Sequence, residues 1–220
     1  MCFSENVSLA IGITGILFSA YLHFIKKNDY AAIGVGYFSI MEIIQFLQYR
    51  VIDQCTNDYN KFLTNLGYIH ICFQPLFINI WLFAFTKNPN FLFLYMAFFA
   101  GLLLATRILF VKDYELCDEK EPLCGKRTCS YSGKRHIAWN LRMRTPGKYW
   151  FTPSFGLHFF VWTIPALLSF QWKPILAMFL AWPYLPFIMN GGIWSEIHEQ
   201  PAIWCYTEIA QLILTYFLLK

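Results

Sequence analysis

Seven apolar stretches, at residues 8–25, 31–49, 63–85, 91–111, 154–170, 174–190 and 202–219, leave this chain few ways to fold in water. A helix needs about 20 mostly apolar residues to cross the hydrocarbon core of a bilayer, with a range of about 17–25. Every stretch falls in that range, and most separators are short and polar, as in Lys26-Lys27-Asn28-Asp29 and Lys87-Asn88-Pro89-Asn90. The fifth and sixth are joined only by Gln171-Trp172-Lys173, which reads as a tight helical hairpin. Only 14% of the residues are charged, against roughly 25% in soluble domains. The 23 Phe, 13 Tyr and 8 Trp suit a lipid-facing surface with interfacial aromatic belts. The expected fold is an all-α integral membrane protein, a seven-transmembrane-helix bundle forming one unit over residues 1–220. No secretory cleavage signal is evident, and the first run, near Val7, reads as a retained helix.

The one long polar stretch, residues 112–153, is a basic, cysteine-containing loop on the N-terminal side, too small for a core of its own. It supplies most of the net charge of +4, so that charge describes a loop and not a nucleic-acid surface; no nucleic-acid partner is expected. The loop's bland reading is a solvated basic face, and its functional reading is contact with anionic lipid head groups. His136 and Trp139, three apart, suggest the start of a short interfacial helix.

Orientation draws on two signals that disagree. Counting Lys and Arg outside the spans gives 11 on the N-terminal side and 5 on the opposite side, which would make the N-terminal side cytoplasmic. Against this, Lys26 and Lys27 follow the first span while Glu5 precedes it, and Cys2, Cys55, Cys117, Cys124, Cys129 and Cys205 gather on the N-terminal side. Clustered cysteines suit an oxidising compartment. The preferred reading places the N-terminus in the lumen or outside the cell, in a plasma membrane, endomembrane or viral membrane. Disulfides are then expected among Cys55, Cys117, Cys124 and Cys129, with Cys72 a buried thiol.

Within the spans, polar groups gather in the half nearest the N-terminal side. Gln48, Gln45 and Glu42 recur every three residues in the second span, the third carries His70 and Gln74, the fifth starts with His158, and the last carries Cys205, Glu208 and Gln211. At about 1.5 Å per residue, each lies within roughly 12–17 Å of that side. Ionisable groups in hydrocarbon cost at least about 2.5–3.5 kcal/mol each and usually face the bundle interior. Glu42, Gln45, His70, Gln74, His158 and Glu208 are therefore the candidate ligand pocket, open towards the N-terminal side. Duller readings stand beside it: the glutamines as interhelical hydrogen-bond glue, the histidines as satisfied core groups, Arg107 as a snorkelling side chain, and the glutamates as structural partners of Arg107 or a histidine. Pro75, Pro165, Pro183 and Pro186 read as kinks. Cys2, with His70 and His158, could also hold zinc or copper, metals that accept such nitrogen and sulfur ligands.

The opening Met1-Cys2-Phe3-Ser4, the Gly133…His136…Trp139 element and Trp204-Cys205 resemble uncharacterised membrane proteins that begin Met-Cys-Phe/Trp-Ser, a family associated with algae and other protists, large DNA viruses and some bacteria. The resemblance implies a multi-helix membrane fold and carries no catalytic residues with it. Seven-helix zinc hydrolases of the ceramidase and adiponectin-receptor type need a close histidine pair in the last helix, and residues 202–219 contain no histidine. The expectation is a multi-pass protein binding or transporting a small solute or ion; the alternatives are a membrane-embedded metal-dependent enzyme and a structural membrane protein without a ligand.

Overall fold

The computed structural model describes residues 4–87, 89–134, 136–181, 197–199, 202 and 205–220. It is mostly helical: α1 (Glu5–Phe24), α2 (Asp29–Tyr49), α3 (Asp58–Phe83), α4 (Leu92–Ala105), α5 (Gly156–Leu168), α6 (Trp172–Leu180) and α7 (Cys205–Leu218). The all-α expectation needs one correction. Within residues 112–153, β1 (Cys129–Ser132) and β2 (Ile137–Asn140) pair antiparallel, so His136 and Trp139 belong to a hairpin and not to an interfacial helix.

Local chemistry sets the helix starts. The Asn28 side chain accepts the Ala31 amide at 3.0 Å and opens α2; that of Asn57 accepts the Tyr59 amide at 2.9 Å and opens α3. Three helices, α1, α2 and α3, are long and apolar enough to cross a membrane. The apolar helical runs 92–108, 156–168 and 207–218 are shorter, and the described part of α6 ends at Leu180. The sixth expected span, 174–190, lies largely outside the described residues. The shortening of α4 and α5 has a physical cause. Where the fourth span was expected to run on to residue 111, a single 3-10 turn (Thr106–Ile108) ends it, and Leu109 is extended. The following segment folds back on the helix ends, with the Thr106 hydroxyl donating to the Phe151 carbonyl at 2.8 Å.

The helices alternate in direction, so their ends form two faces. On the opposite side, the Lys173 ammonium donates to the Leu218 carbonyl at 3.1 Å, and the Lys87 amide to Gln171 Oε1 at 3.0 Å. Helix α3 is central, with 67% of its apolar window buried, against 22% for α1. Two apolar clusters stack along the bundle. One, nearer the N-terminal side, joins Met41, Ile44, Tyr68, Ile71 and Leu104 to Ile137, Trp139, Leu141 and Met143 of the 112–153 segment. The other joins Val35, Phe38, Ile78, Trp81, Trp162 and Met178. The segment thus shares a core with the bundle. Gly67 makes this possible, because a Cβ there would collide with the Trp139 ring.

Candidate functional site

Prolines decide two of the candidate residues. A proline inside a helix supplies no N–H to the carbonyl four residues earlier, and in hydrocarbon that carbonyl must find another donor. Pro75 in α3 frees the Ile71 carbonyl, and His158 Nε2 of α5 reaches it at 3.1 Å. Pro165 in α5 frees the Val161 carbonyl, and Asn79 Nδ2 of α3 donates to it at 2.9 Å and to the Pro75 carbonyl at 2.7 Å. Each helix repairs the other. Because a carbonyl only accepts, the proton sits on His158 Nε2. His158 has a structural task.

His70 has one too. Its Nε2 donates to the Tyr37 carbonyl at 2.8 Å, while the Tyr37 hydroxyl donates to the His70 carbonyl at 2.7 Å. The rings stack, with centroids 4.0 Å apart and 11° between planes, and Phe77 stacks on Tyr37 at 3.5 Å. This clamp joins α2 to α3. Gln48 Nε2 likewise donates to the Leu63 carbonyl at 3.1 Å. Gln74 is buried on α3.

The carboxylates stand elsewhere. Glu42 and Gln45 on α2 and Glu208 on α7 are each at most 2% exposed. Glu208 lies within electrostatic range of Glu42 and beside Ser39. The Ser39 hydroxyl donates to its own helix, to the Val35 carbonyl at 2.8 Å. Helix α1 admits this carboxylate through Gly15, where a Cβ would meet Ser39 Oγ and stand 2.7 Å from Glu208 Oε1. Ser8 and Gly12 continue the same small-residue face, both buried. On the same helices, Ser8 Oγ, Thr207 Oγ1 and both amide atoms of Gln211 are buried with no hydrogen-bond partner among the described residues. The structure therefore brings Glu208 near Glu42 and Ser39, against Gly12 and Gly15 of α1, leaves Gln45, Ser8, Thr207 and Gln211 as further buried polar groups of the same helices, and gives His70 and His158 to helix clamps. Ser8, Ser39 and Thr207 were not singled out from sequence; the i, i+4, i+7 spacing of Ser8, Gly12 and Gly15 was the available signal.

Arg107 does not snorkel. It is fully buried; its Nη2 donates to Glu121 Oε1 at 2.6 Å, and Nε and Nη2 reach the Arg144 carbonyl at 3.0 and 2.8 Å. Arg144 Nε donates to Glu115 Oε2 at 3.1 Å, and the Tyr149 hydroxyl to Glu115 Oε1 at 2.7 Å. Three donors converge on Glu115: first the Lys112 amide, then Tyr149 and Arg144, holding its carboxyl down at about 2. Arg142 pairs with Asp113 at 2.6 Å. The expected link between a membrane glutamate and Arg107 is replaced by this network, because Glu121 brings a carboxylate from the folded segment.

Two disulfides complete the cap. Cys55 joins Cys129, with Cα atoms 5.0 Å apart, and Cys117 joins Cys124, with Cα atoms 5.9 Å apart. Cys72 is a free, buried thiol. Asn60 exchanges two hydrogen bonds with Ser130, from Nδ2 to the carbonyl and from the amide to Oδ1, both 2.9 Å, fastening β1 to α3. Among the described residues no group of three or more His, Cys, Asp or Glu could hold a metal ion. Cys2, expected to complete such a set with His70 and His158, lies outside the described residues, as do Trp204, Pro183, Pro186 and the Cys205 side chain.

Residues 6–219, nearly the whole chain, match a family model described as a family of unknown function (DUF5765). No curated protein and no solved structure matches the chain.

Proposed function

For a chain that belongs to this family of unknown function, we propose a seven-span integral membrane protein that binds a small solute or ion at the Glu42–Glu208 layer and passes it across the bilayer. The observation that carries this reading is two carboxyl groups, on α2 and α7, buried together against the glycine face of α1. Two like charges in a dry interior repel strongly, and a bound proton or small cation relieves that repulsion. A layer used only as interhelical glue would aim its donors at freed backbone carbonyls, as His158 and Asn79 do. Ser8, Thr207 and Gln211 instead present buried polar atoms without partners among the described residues, an arrangement suited to a polar guest.

In this reading the N-terminal side faces the lumen or the cell exterior. The two disulfides support it. The count of 11 cations to 5 points the other way, and the reading sets the two disulfides above it.

Proteoliposomes containing a pH-sensitive dye, driven by a proton or monovalent-cation gradient, test the function. The wild-type protein is expected to dissipate one of these gradients, and Glu208→Gln to slow that flux at least about tenfold while the protein keeps its thermal midpoint within a few degrees. Wild-type flux no faster than in empty liposomes, or a Glu208→Gln protein that conducts like wild type, overturns the reading.

A further inference from the structure

A second site emerges at the opposite side, away from the carboxylates. Two contiguous grooves open there. One, of about 440 Å³, runs from Thr86, Asn90 and Gln171 at its mouth to Asn79 and Pro165 at its floor. Seven residues separate Thr86, just past the end of α3, from Asn79 within it, a depth of about 10 Å. Leu82, Phe83, Phe93 and Leu168 line its walls. The neighbouring groove, of about 540 Å³, shares Thr86 and Gln171 and adds Lys87, Trp172 and Lys173. The bond from the Lys87 amide to Gln171 holds the two turns, and so the two lysines, beside one mouth.

Charge separates this mouth from the rest of the surface. Lys26, Lys27, Lys87, Lys173 and Lys220 lie on the opposite side, where Asp29 is the sole acid. Asp29 is engaged by His23 at 2.7 Å, and none of the five lysines forms an ion pair among the described residues. In the 112–153 segment, by contrast, three cations, Lys126, Arg142 and Arg144, face acids of the same segment. Exposed Phe170 and Trp172 flank the mouth, as aromatic residues do at the headgroup level. An apolar slot about 10 Å deep under a pair of unopposed lysines matches an amphiphile with one negative head.

We propose that these grooves bind an anionic phospholipid of the surrounding leaflet, an acyl chain lying between α3 and α5 towards Pro165 and the phosphate resting against Lys87 and Lys173. The proposal rests on the membrane reading and is independent of the carboxylate layer. Native mass spectrometry of the full chain, in micelles doped with equal amounts of phosphatidylglycerol and phosphatidylcholine of identical chains, tests it. Wild type is expected to retain the anionic lipid about tenfold more than the zwitterionic one. In Lys87→Gln/Lys173→Gln this preference should fall to about twofold or less, whereas Lys27→Gln, outside both grooves, should keep it. Equal retention of the two lipids by wild type, or an undiminished preference in the double variant at an unchanged thermal midpoint, overturns the proposal. A protein released from membranes by alkaline carbonate without detergent would instead overturn the membrane reading itself.

Discussion

At the N-terminal side, two disulfides, a two-stranded sheet and a buried run of arginine–carboxylate pairs close over the helix ends. At the opposite side, short turns join the helices, the lysines have no acid partners among the described residues, and grooves lead inward. On the proposed membrane reading both ends meet water and lipid headgroups, so the solvent alone does not explain the contrast. The difference lies in where charge is spent. The N-terminal end spends its charge internally, on fixing the 112–153 segment over the half of the bundle that holds the buried carboxyls. The other end keeps its charge available to the surroundings. A sequence count of cations weighs the two ends by number alone, whereas ion pairs engage five of the eleven cations on the N-terminal side and, among the described residues, none of the five lysines opposite.

The contrast breaks most visibly if the cap does not depend on its covalent ties. The Cys55–Cys129 bond closes a separation of 74 residues, which in the chain-entropy account contributes about 4 kcal/mol. Cys129→Ser is therefore expected to lower the thermal midpoint strongly in detergent, and reductant to do the same to wild type. The Cys117–Cys124 loop spans seven residues, and Cys124→Ser should cost only about 2 kcal/mol. Equal midpoints with and without reductant would show the two ends to be alike in this respect.

Between the ends, Asn79→Leu strands the Val161 carbonyl and removes a donor from that of Pro75, an expected loss of about 1–3 kcal/mol. Adding Pro165→Ala restores an N–H beneath Val161 and should recover part of it. Midpoints of the four proteins in the cycle decide the matter, and additive losses would mean the two sites are uncoupled.

The smallest expected effect concerns acid. Glu115 is held at about 2 in the folded cap, below the ordinary carboxyl value of about 4.3. Its contribution is complete above that ordinary value and is lost as pH falls from there towards about 2. Hydrogen exchange across residues 112–153 should accelerate on acidification through this window, and less so in Glu115→Gln, while the short turns of the opposite side change little.

Much of the helical plan was legible because apolar length is a strong constraint: the cores of α1, α2 and α3 fall within the stretches read from hydropathy. The 112–153 segment was not legible as a folded cap. Its contacts are long-range, as in Asn60 with Ser130 and Gly67 with Trp139, and no local period announces them. Depth along the helices singled out Glu42, Gln45 and Glu208, which are buried, but depth gives no azimuth. His70 and His158 share that depth and point to backbone carbonyls instead. The clue for His158 was present in Pro75 and Pro165, since a proline in a span implies a donor elsewhere. Only coordinates could say which donor serves which carbonyl.

The exchange of donors between α3 and α5 also bears on how a closed layer could admit a guest. Pulling these two helices apart would leave two carbonyls without donors at once, which in hydrocarbon would cost several kcal/mol each. They behave as one rigid stator. Helix α1, by contrast, is the least buried of the three long helices and meets Glu42 and Glu208 through Gly12 and Gly15, residues that bring little side chain to disentangle. Motion that opens the layer therefore meets least resistance as a slide or tilt of α1 against α2 and α7, a moving part running on a glycine bearing.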